Sequence, residues 1–351
     1  VTPPVMLWAI ADALFATLQE GSREPTMRIY FCREGLTGIT NILQRELPDD
    51  EILACAPTQV VESARHADVL IPTVSPIPAA AFDATQVRLV QQYGAGLDSV
   101  DIPAATRAGV YVANVPSAGT GNAESVAELS ILFMLALARK YPQTQESIKQ
   151  RKLGAPMGQT LKGRTAAIIG FGGIGQELAK RLNGFEMKVQ AVSRRGPKAD
   201  DVAVDFHGAA DTLHTVLRQA DFVIVAPPLN DDTRGLIGRE ELACIKPNAF
   251  LINVARGPVV DYDALLAALK DGRIAGAGLD VFWQEPFDPA DPIFSYNVIA
   301  TPHIGGATDL SLQGIAKKVA ENINRLRRGE MPVSCANPEV QTRGKGETGK
   351  R

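Results

Sequence analysis

From Met27 onward, short apolar runs alternate with segments of helical periodicity and with turn-rich stretches. Short β-branched runs separated by helical segments are typical of stacked βα units. The first part of the chain therefore predicts a small α/β domain with five strands: Arg28–Phe31, Ile52–Cys55, Val69–Pro72, Arg88–Gln91 and Val110–Ala113.

A second series of strands follows a long helical segment. Asn122–Lys140 is apolar nearly all round, which predicts a buried helix that connects two domains. The nearly continuous apolar runs beyond it predict six strands: Thr165–Ile169, Lys188–Val192, Phe222–Ala226, Phe250–Val254, Gly276–Leu279 and Val298–Ala300. Runs of this kind are typical of strands that are buried on both faces, so we expect a doubly wound parallel sheet.

The last amphipathic run, Ser311–Arg328, predicts a helix that returns to the first domain. The first, substrate-binding domain is then discontinuous and comprises 27–121 and 309–338, whereas 122–308 form the dinucleotide-binding domain. Residues 339–351 are polar and glycine-rich, which predicts a disordered tail. The expected fold class is α/β, with two Rossmann/flavodoxin-like doubly wound domains and a cleft between them.

The first 26 residues have two interpretations, an N-terminal extension or a helix docked on the first domain. Apolar residues between Val5 and Leu18 are spaced like one helical face. The stretch has no basic region before it, contains Asp12 and is shorter than the ~20 apolar residues of a spanning helix. We therefore expect neither a signal peptide nor a membrane anchor.

Composition and charge narrow the class of protein. The chain has 351 residues, 45% hydrophobic and 21% charged, which is enough for two buried cores. A net charge of -3 without a basic cluster argues against a nucleic-acid partner. The four cysteines are too scattered for a C-x-x-C pair or a zinc site. We expect a cytoplasmic protein that uses no metal and contacts neither nucleic acid nor membrane.

A glycine-rich turn marks the candidate cofactor site. Gly170, Gly172 and Gly175 form a G-x-G-x-x-G motif between the predicted strand Thr165–Ile169 and the helical run Gln176–Leu182. The first glycine permits a tight turn, the second lets the backbone approach a pyrophosphate, and the third lets helix and strand pack closely. The bare motif could be an ordinary turn, but its position between strand and helix predicts dinucleotide binding.

The residues after the next predicted strand bear on the choice of dinucleotide. An acidic residue there would hold the ribose 2′-hydroxyl of NAD and repel a 2′-phosphate. This chain has Ser193, Arg194 and Arg195 instead, and two guanidinium groups with a hydroxyl suit a phosphate. A solvated basic loop is the alternative. The sequence favours NADP(H), and NAD(H) is also possible.

Three candidate catalytic groups lie near the C-terminal ends of predicted strands, where open parallel sheets bind ligands. The guanidinium of Arg256 matches the carboxylate and carbonyl oxygens of a 2-keto acid. His303 is a proton donor suited to neutral pH, and the carboxylate of Glu285 would orient its ring and favour the protonated form. Each residue alone has a structural alternative, so the combination carries the prediction. The other histidines are expected to be structural or surface residues: His66, His207 and His214.

These motifs together resemble the D-isomer-specific 2-hydroxyacid dehydrogenase family. The resemblance covers about 85–310 and rests on these segments: Tyr93–Asp101, Asn114–Pro116, Ser125–Glu128, Gly170–Gly175, Asn253–Gly257, Asp280–Pro286 and Thr301–Gly306. It implies two α/β domains, a nicotinamide cofactor, and a homodimer formed through the cofactor domain and its helical arm.

The resemblance also implies roles for individual residues. The catalytic set would be Arg256, Glu285 and His303, and Asp280 would lie near the nicotinamide amide. The substrate-binding residues would be Gly94, Ala95, Gly96, Arg256 and His303. The other residues expected at the cofactor are Ser125, Gly170, Gly172, Gly173, Ile174, Gly175, Ser193, Arg194, Arg195, Pro227, Ala255, His303 and Gly305.

The chain departs from many family members at Ser193–Arg195, where they have an acidic residue. This departure leaves the hydride chemistry intact. With these residues, the segment resembles that of the glyoxylate and hydroxypyruvate reductases. We therefore expect a reversible reduction of a small 2-keto acid, glyoxylate or hydroxypyruvate first, to the D-2-hydroxy acid.

Other functions stay open at this point. Phosphoglycerate, phosphite and D-lactate dehydrogenases share the Arg, Glu and His residues, although the chain after His303 is too short for the regulatory domains of larger phosphoglycerate dehydrogenases. A dinucleotide-sensing binding protein similar to the C-terminal-binding corepressors would use the same fold for partner recognition. Binding of a partner peptide would distinguish that function from an enzymatic one.

Overall fold

The computed structural model describes residues 26–83, 85–199 and 201–340. Nearly all of the predicted N-terminal extension and tail, residues 1–25 and 341–351, lies outside the described residues. Val340 was assigned to the disordered tail, but it is buried and its N–H bonds to the Asn337 carbonyl at 3.2 Å. Within the described ranges, none of the helices combines the length and apolar character needed to cross a bilayer.

The chain forms two compact units, and the first comprises the described residues up to Tyr93, Ser99–Asn114 and those from Lys317 onward. Its elements are β1 (Arg28–Phe31), α1 (Thr37–Glu46), β2 (Glu51–Ala54), α2 (Val60–Ser63), β3 (Val69–Ile71), β4 (Leu89–Gln91), α3 (Ile102–Arg107) and β5 (Tyr111–Ala113). The sheet is parallel with the order β2-β1-β3-β4-β5, which is flavodoxin-like.

The second unit comprises Gly94–Asp98 and Val115–Ala316. Its strands are β6 (Thr165–Ile169), β7 (Lys188–Val192), β8 (Phe206–Gly208), β9 (Phe222–Val225), β10 (Phe250–Asn253), β11 (Gly276–Leu279) and β12 (Val298–Ala300). Its helices are α4 (Asn122–Ala138), α5 (Tyr141–Lys149), α6 (Gly173–Gly184), α7 (Leu213–Gln219), α8 (Arg239–Cys244) and α9 (Tyr262–Lys270). A final helix, α10 (Asp309–Arg327), begins in this unit and ends in the first.

The second sheet is parallel and has the order β8-β7-β6-β9-β10-β11-β12, so the predicted α/β class with two doubly wound sheets is confirmed. Alternate side chains of β6 point to opposite faces: Ile168 packs in the core beneath α4 and α6, and Ile169 in the core beneath α7 to α9. The strand order reverses between β6 and β9, and a crevice outside the carboxyl ends of strands at such a reversal is where doubly wound sheets bind ligands.

The described structure differs from the prediction at two elements and at the unit boundaries. The edge strand β8 is a seventh strand that the hydrophobic pattern did not indicate, since it holds His207 and Gly208 and its Phe206 is 39% exposed. Helix α5 follows α4 directly and buries none of its residues, so it has no apolar stripe to predict it. The predicted substrate domain included 94–98, 115–121 and 309–316, which here pack in the second unit.

Polar contacts fix the end of the chain in the first unit. Both carboxylate oxygens of Asp50 accept from Nη2 of Arg327, each at 2.6 Å, and both side chains are almost fully buried. The buried Asn337 side chain bonds to the N–H of Val112 in β5 and to the carbonyl of Val110. These bonds join the described residues after Lys317 to earlier parts of the first unit.

Candidate active site

The glycine-rich turn has the geometry that a dinucleotide pyrophosphate requires. Gly170 has a φ of +95°, and a Cβ there would lie 2.5 Å from the backbone nitrogen of the buried Pro227. Gly175 packs against the Gly170 carbonyl, so helix and strand approach closely. At Gly172, where α6 begins, a Cβ would meet no atom of the described residues within 4 Å. The turn is therefore closed on the protein side and open at Gly172, which fits a bound pyrophosphate.

The loop after β7 displays two cations. Arg194 and Arg195 are exposed, and neither has a hydrogen bond or ion pair within the part of the chain that is described. Ser193 is held more firmly, because its Oγ lies 3.0 Å from the Gly196 carbonyl and 2.9 Å from Nε2 of His207. A hydroxyl and two guanidinium groups next to the glycine-rich turn suit a phosphate on the adenosine ribose.

Arg256 lies beyond the end of β10 on a turn shaped by Asn253. The Asn253 side chain, which is fully buried, bonds to the Arg256 carbonyl at 2.9 Å and to the Ala255 N–H at 3.1 Å. The Arg256 guanidinium donates from Nε to Asp98 Oδ1 at 3.2 Å and from Nη1 to the Ala255 carbonyl at 2.8 Å. Its Nη2 lies against Gly96, where a Cβ would collide with it. The loop Gly94–Asp98 and Arg256 therefore form one cluster within the second unit.

Glu285 and His303 are paired as the sequence predicted. Oε2 of Glu285 lies 2.8 Å from Nδ1 of His303, and Oε1 accepts from the Phe282 N–H at 3.1 Å. The segment before Glu285 is anchored by Trp283, whose Nε1 donates to the Val260 carbonyl at 2.6 Å. The carboxylate holds the ring by Nδ1, so Nε2 is the nitrogen that can act on a substrate.

Opposing effects set the charge of Glu285. Burial acts to raise the pKa of this carboxyl, but the hydrogen bond and charge of His303 oppose it, and the Phe282 N–H and Arg256 add to that opposition. The pKa is lowered as a result, so Glu285 is ionised at neutral pH and supplies the negative charge that a protonated His303 requires.

A second carboxylate, Asp280, holds the loop that carries His303. Asp280 is buried, and its oxygens accept from Thr301 Oγ1 at 2.7 Å and from the N–H groups of Ile304 and Gly305 at 2.8 Å each. His303 itself has a φ of +56°, a conformation that costs a non-glycine residue energy and is found at functional sites held by their surroundings. Asp280 thus stabilises the strained loop around His303.

The remaining predicted cofactor residues lie at several places in the second unit. A Cβ on Gly173 would lie 2.9 Å from Ser117 Oγ, so 117–118 border the glycine-rich turn, which sequence reasoning missed. The Ser125 hydroxyl bonds to the Gly121 carbonyl and to Thr308 Oγ1, each at 2.6 Å. Ile174 is partly exposed beside Gly172, whereas Ala255 is buried and uses its N–H and carbonyl within the Arg256 turn.

Comparisons with known proteins show the family of the chain. Residues 131–305 match the family model described as D-isomer specific 2-hydroxyacid dehydrogenase, NAD binding domain. The chain is 40% identical over 274 residues to a glyoxylate reductase of Thermococcus litoralis, which covers 74% of this chain and 80% of the relative. It is 38% identical over 309 residues to a glyoxylate reductase of Thermococcus gammatolerans, with coverage of 85% and 88%.

A solved structure is similar as well. It is that of an NADPH-dependent glyoxylate/hydroxypyruvate reductase of Sinorhizobium meliloti in complex with NADP and malonate, with a TM-score of 0.77, 28% identity, and coverage of 91% of this chain and 99% of the other. Fold, site and relatives define a dehydrogenase that uses a nicotinamide dinucleotide. The chain belongs to the D-isomer-specific 2-hydroxyacid dehydrogenase family, so the resemblance stated from the sequence is confirmed.

Proposed function

We propose that this protein reduces a small 2-keto acid to the D-2-hydroxy acid, reversibly, with glyoxylate or hydroxypyruvate as the favoured substrate and NADPH as the favoured cofactor. The Arg256, Glu285 and His303 cluster carries the proposal, because it combines a carboxylate-binding cation with a charged proton donor. The names of the related glyoxylate reductases support the choice of substrate.

Arg256 and the loop Gly94–Gly96 bind the substrate. Asp98 and the Ala255 carbonyl take two of the five N–H groups of the guanidinium, which leaves three that take no part in those bonds. Those donors can bind a substrate carboxylate and the carbonyl oxygen on which negative charge develops. The backbone amides of Ala95 and Gly96, next to Nη2, are proposed to hold the carboxylate.

Proton transfer falls to His303. In the direction of reduction, the protonated ring donates from Nε2 to the substrate carbonyl oxygen, while Glu285 retains its bond to Nδ1. A bound reduced nicotinamide supplies the hydride. In the reverse direction, neutral His303 accepts the hydroxyl proton.

Cofactor binding is assigned to the glycine-rich turn and the loop after β7. The open face of Gly172 and the start of α6 would take the pyrophosphate. Arg194 and Arg195 would take a 2′-phosphate, and the charge-assisted bonds of one good arginine contact favour NADP(H) by roughly 10- to 100-fold. The proposed contact of Asp280 with the nicotinamide amide uses acceptor capacity left beside its three loop bonds.

The function is tested by following the oxidation of NADPH and NADH in parallel with glyoxylate, hydroxypyruvate and pyruvate. We expect faster loss of NADPH with one of the first two acids, and a rate lower by about 10²- to 10³-fold with an Arg256→Ala variant. Measurable NADPH binding without turnover of any of the three would contradict the proposed substrates.

We also propose a homodimer that covers the arm formed by α5 and the residues after it. Apolar side chains there are exposed, with Ile148 at 69%, Leu153 at 101% and Met157 at 86%, and the family resemblance implies an arm-mediated dimer. Light scattering should give twice the chain mass for the wild type and the chain mass for a Leu153→Glu, Met157→Glu variant. A monomeric wild type would contradict the proposal. A cytoplasmic location stays a prediction based on the cysteines, which are all free.

A further inference from the structure

His207 links the loop after β7 to the glycine-rich turn. Its Nε2 lies 2.9 Å from Ser193 Oγ, its Nδ1 lies 3.3 Å from Asp201 Oδ2, and its side chain is only 8% exposed. The ring also packs edge-on against Phe171, between the first two glycines of the motif, with centroids 4.8 Å apart. The sequence predicted a structural or surface role for His207, but these contacts place it between the two elements proposed to bind the cofactor.

Hydrogen-bond donors are scarce at Ser193. The hydroxyl has one hydrogen, and two acceptors compete for it, the Gly196 carbonyl at 3.0 Å and Nε2 of His207. When the ring is neutral, the Asp201 carboxylate favours a hydrogen on Nδ1, so Nε2 accepts the Ser193 hydrogen. When the ring is protonated, Nε2 becomes a donor to Ser193 Oγ and frees that hydrogen for another acceptor.

We propose, building on the NADP(H) preference proposed above, that His207 is a specificity-determining positioning residue. In its protonated form it directs the Ser193 hydroxyl to the 2′-phosphate of NADP(H), so that discrimination against NAD(H) increases as the pH falls. When His207 is neutral, its Nε2 accepts the Ser193 hydrogen, which is then not available to the phosphate. The two arginines alone then distinguish NADP(H) from NAD(H).

The charges around the ring give the direction of this effect. Among the described residues, Asp201 is the charged group that acts on His207, and Gln176 Nε2 at 3.3 Å and the Lys198 N–H at 2.8 Å hold that carboxylate. Burial lowers the pKa of His207 and Asp201 opposes this only in part, so the free ring is neutral near pH 7. A phosphate anion bound through Ser193 raises that pKa, so binding takes up a proton and weakens as the pH rises.

The experiment measures binding of 2′,5′-ADP and 5′-ADP by titration calorimetry between about pH 5.5 and 8.5, the range in which histidine titrates. The ratio of the two dissociation constants isolates the 2′-phosphate. The phosphate has its own ionisation near pH ~6, which is common to all variants, so each variant is compared with the wild type at the same pH. Proton uptake on binding is measured in buffers of different ionisation enthalpy.

We expect the wild type to gain about tenfold in preference for 2′,5′-ADP at low pH relative to His207→Asn, the value of one charge-assisted hydrogen bond. Ser193→Ala should abolish the same gain and the extra proton uptake. The control is His214→Asn. His214 lies on α7, and its Nε2 is 2.8 Å from Oε1 of Glu241 on α8, outside this network. This variant should behave as the wild type. Binding of 5′-ADP by every variant verifies that the adenosine site is folded.

Two outcomes would overturn the inference in distinguishable ways. In the first, the wild type prefers 2′,5′-ADP over 5′-ADP, but with the same pH dependence as His207→Asn. That result would contradict the role of His207 and would be consistent with the NADP(H) preference. A wild type without preference at any pH removes the proposed NADP(H) site itself, and the inference with it.

Discussion

Nδ1 of His303 and Oε2 of Glu285 are 2.8 Å apart, on two loops that follow different strands of one sheet. The ionised carboxylate leaves Nε2 as the working nitrogen and compensates the charge of the protonated ring. Because the pKa of Glu285 is lowered, the stabilisation from this pair is present from neutral pH down into acid and is lost as the pH falls through that lowered pKa.

Glu285→Gln should keep a hydrogen bond to His303 and remove the charge. We expect kcat/KM for keto acid reduction at neutral pH to fall roughly 10- to 100-fold, because the protonated ring loses its anion, and the acid limb that follows the lowered pKa of Glu285 to disappear from its pH profile. Glu285→Asp, which keeps the charge, should leave that limb closer to the wild-type position. A Gln variant with an unaltered profile would count against the pairing.

Arg256→Ala should lower kcat/KM by about 10²- to 10³-fold, since it removes the donors aimed at the developing oxyanion. Arg256→Lys keeps the charge but loses the planar fork, so we expect it to recover only part of that loss. Asp98→Asn, which weakens the 3.2 Å bond to Nε, should cost less than either. Equal activities for the Lys variant and the wild type would show that charge alone suffices.

The strands could be predicted from the sequence because parallel strands buried on both faces need nearly continuous apolar runs. β1, β6, β7, β11 and β12 begin and end at the predicted residues, and the ends of the other predicted strands are within one residue. The edge strand β8 could not be predicted, because it is short and, among the described strands, pairs with β7 alone, so it needs no apolar run. The returning helix α10 could be predicted because its apolar residues recur at helical spacing.

The candidate catalytic residues could be predicted because each stands in a short motif after a strand. The Glu285–His303 pair could be predicted as well, but the partner of Arg256 could not, because contact between Asp98 and Arg256 joins positions 158 residues apart and depends on how the chain folds. The contact of His207 with Ser193 could not be predicted either, since it is the β7–β8 pairing that brings the two residues together.

Asp280→Asn should loosen the loop of His303. An amide nitrogen in place of one oxygen faces N–H or O–H donors, so at least one of the three bonds to the loop is lost. We expect a marked fall in kcat and only a small fall in the melting temperature. Amide hydrogen exchange at Ile304 and Gly305 should become faster. Thr301→Val removes a single donor and should have a smaller effect on both. Unchanged exchange in the Asn variant would mean that the loop is held by other contacts.

Asp50→Asn should destabilise the first unit by about 3–5 kcal/mol in urea unfolding, because it removes the negative charge of a buried carboxylate that lies 2.6 Å from the buried Arg327 guanidinium. The matched control is Glu51→Gln, which removes a pair with Arg28 in which both side chains are at least half exposed. That pair should contribute less than about 1 kcal/mol. Equal losses in the two variants would contradict the role assigned to the buried pair.

Arg194→Asp combined with Arg195→Ala should reverse the cofactor preference. An acid after β7 favours the ribose hydroxyls of NAD(H), and the loss of both cations removes the charge-assisted bonds to the 2′-phosphate. We expect the Kd for NADPH to rise roughly 10- to 100-fold and that for NADH to fall, because the new carboxylate can accept hydrogen bonds from the ribose hydroxyls. Lys188→Ala, at the opposite end of β7, is the matched control for a loss of positive charge alone. Unchanged NADPH affinity in the double variant would mean that the loop is only a solvated basic surface.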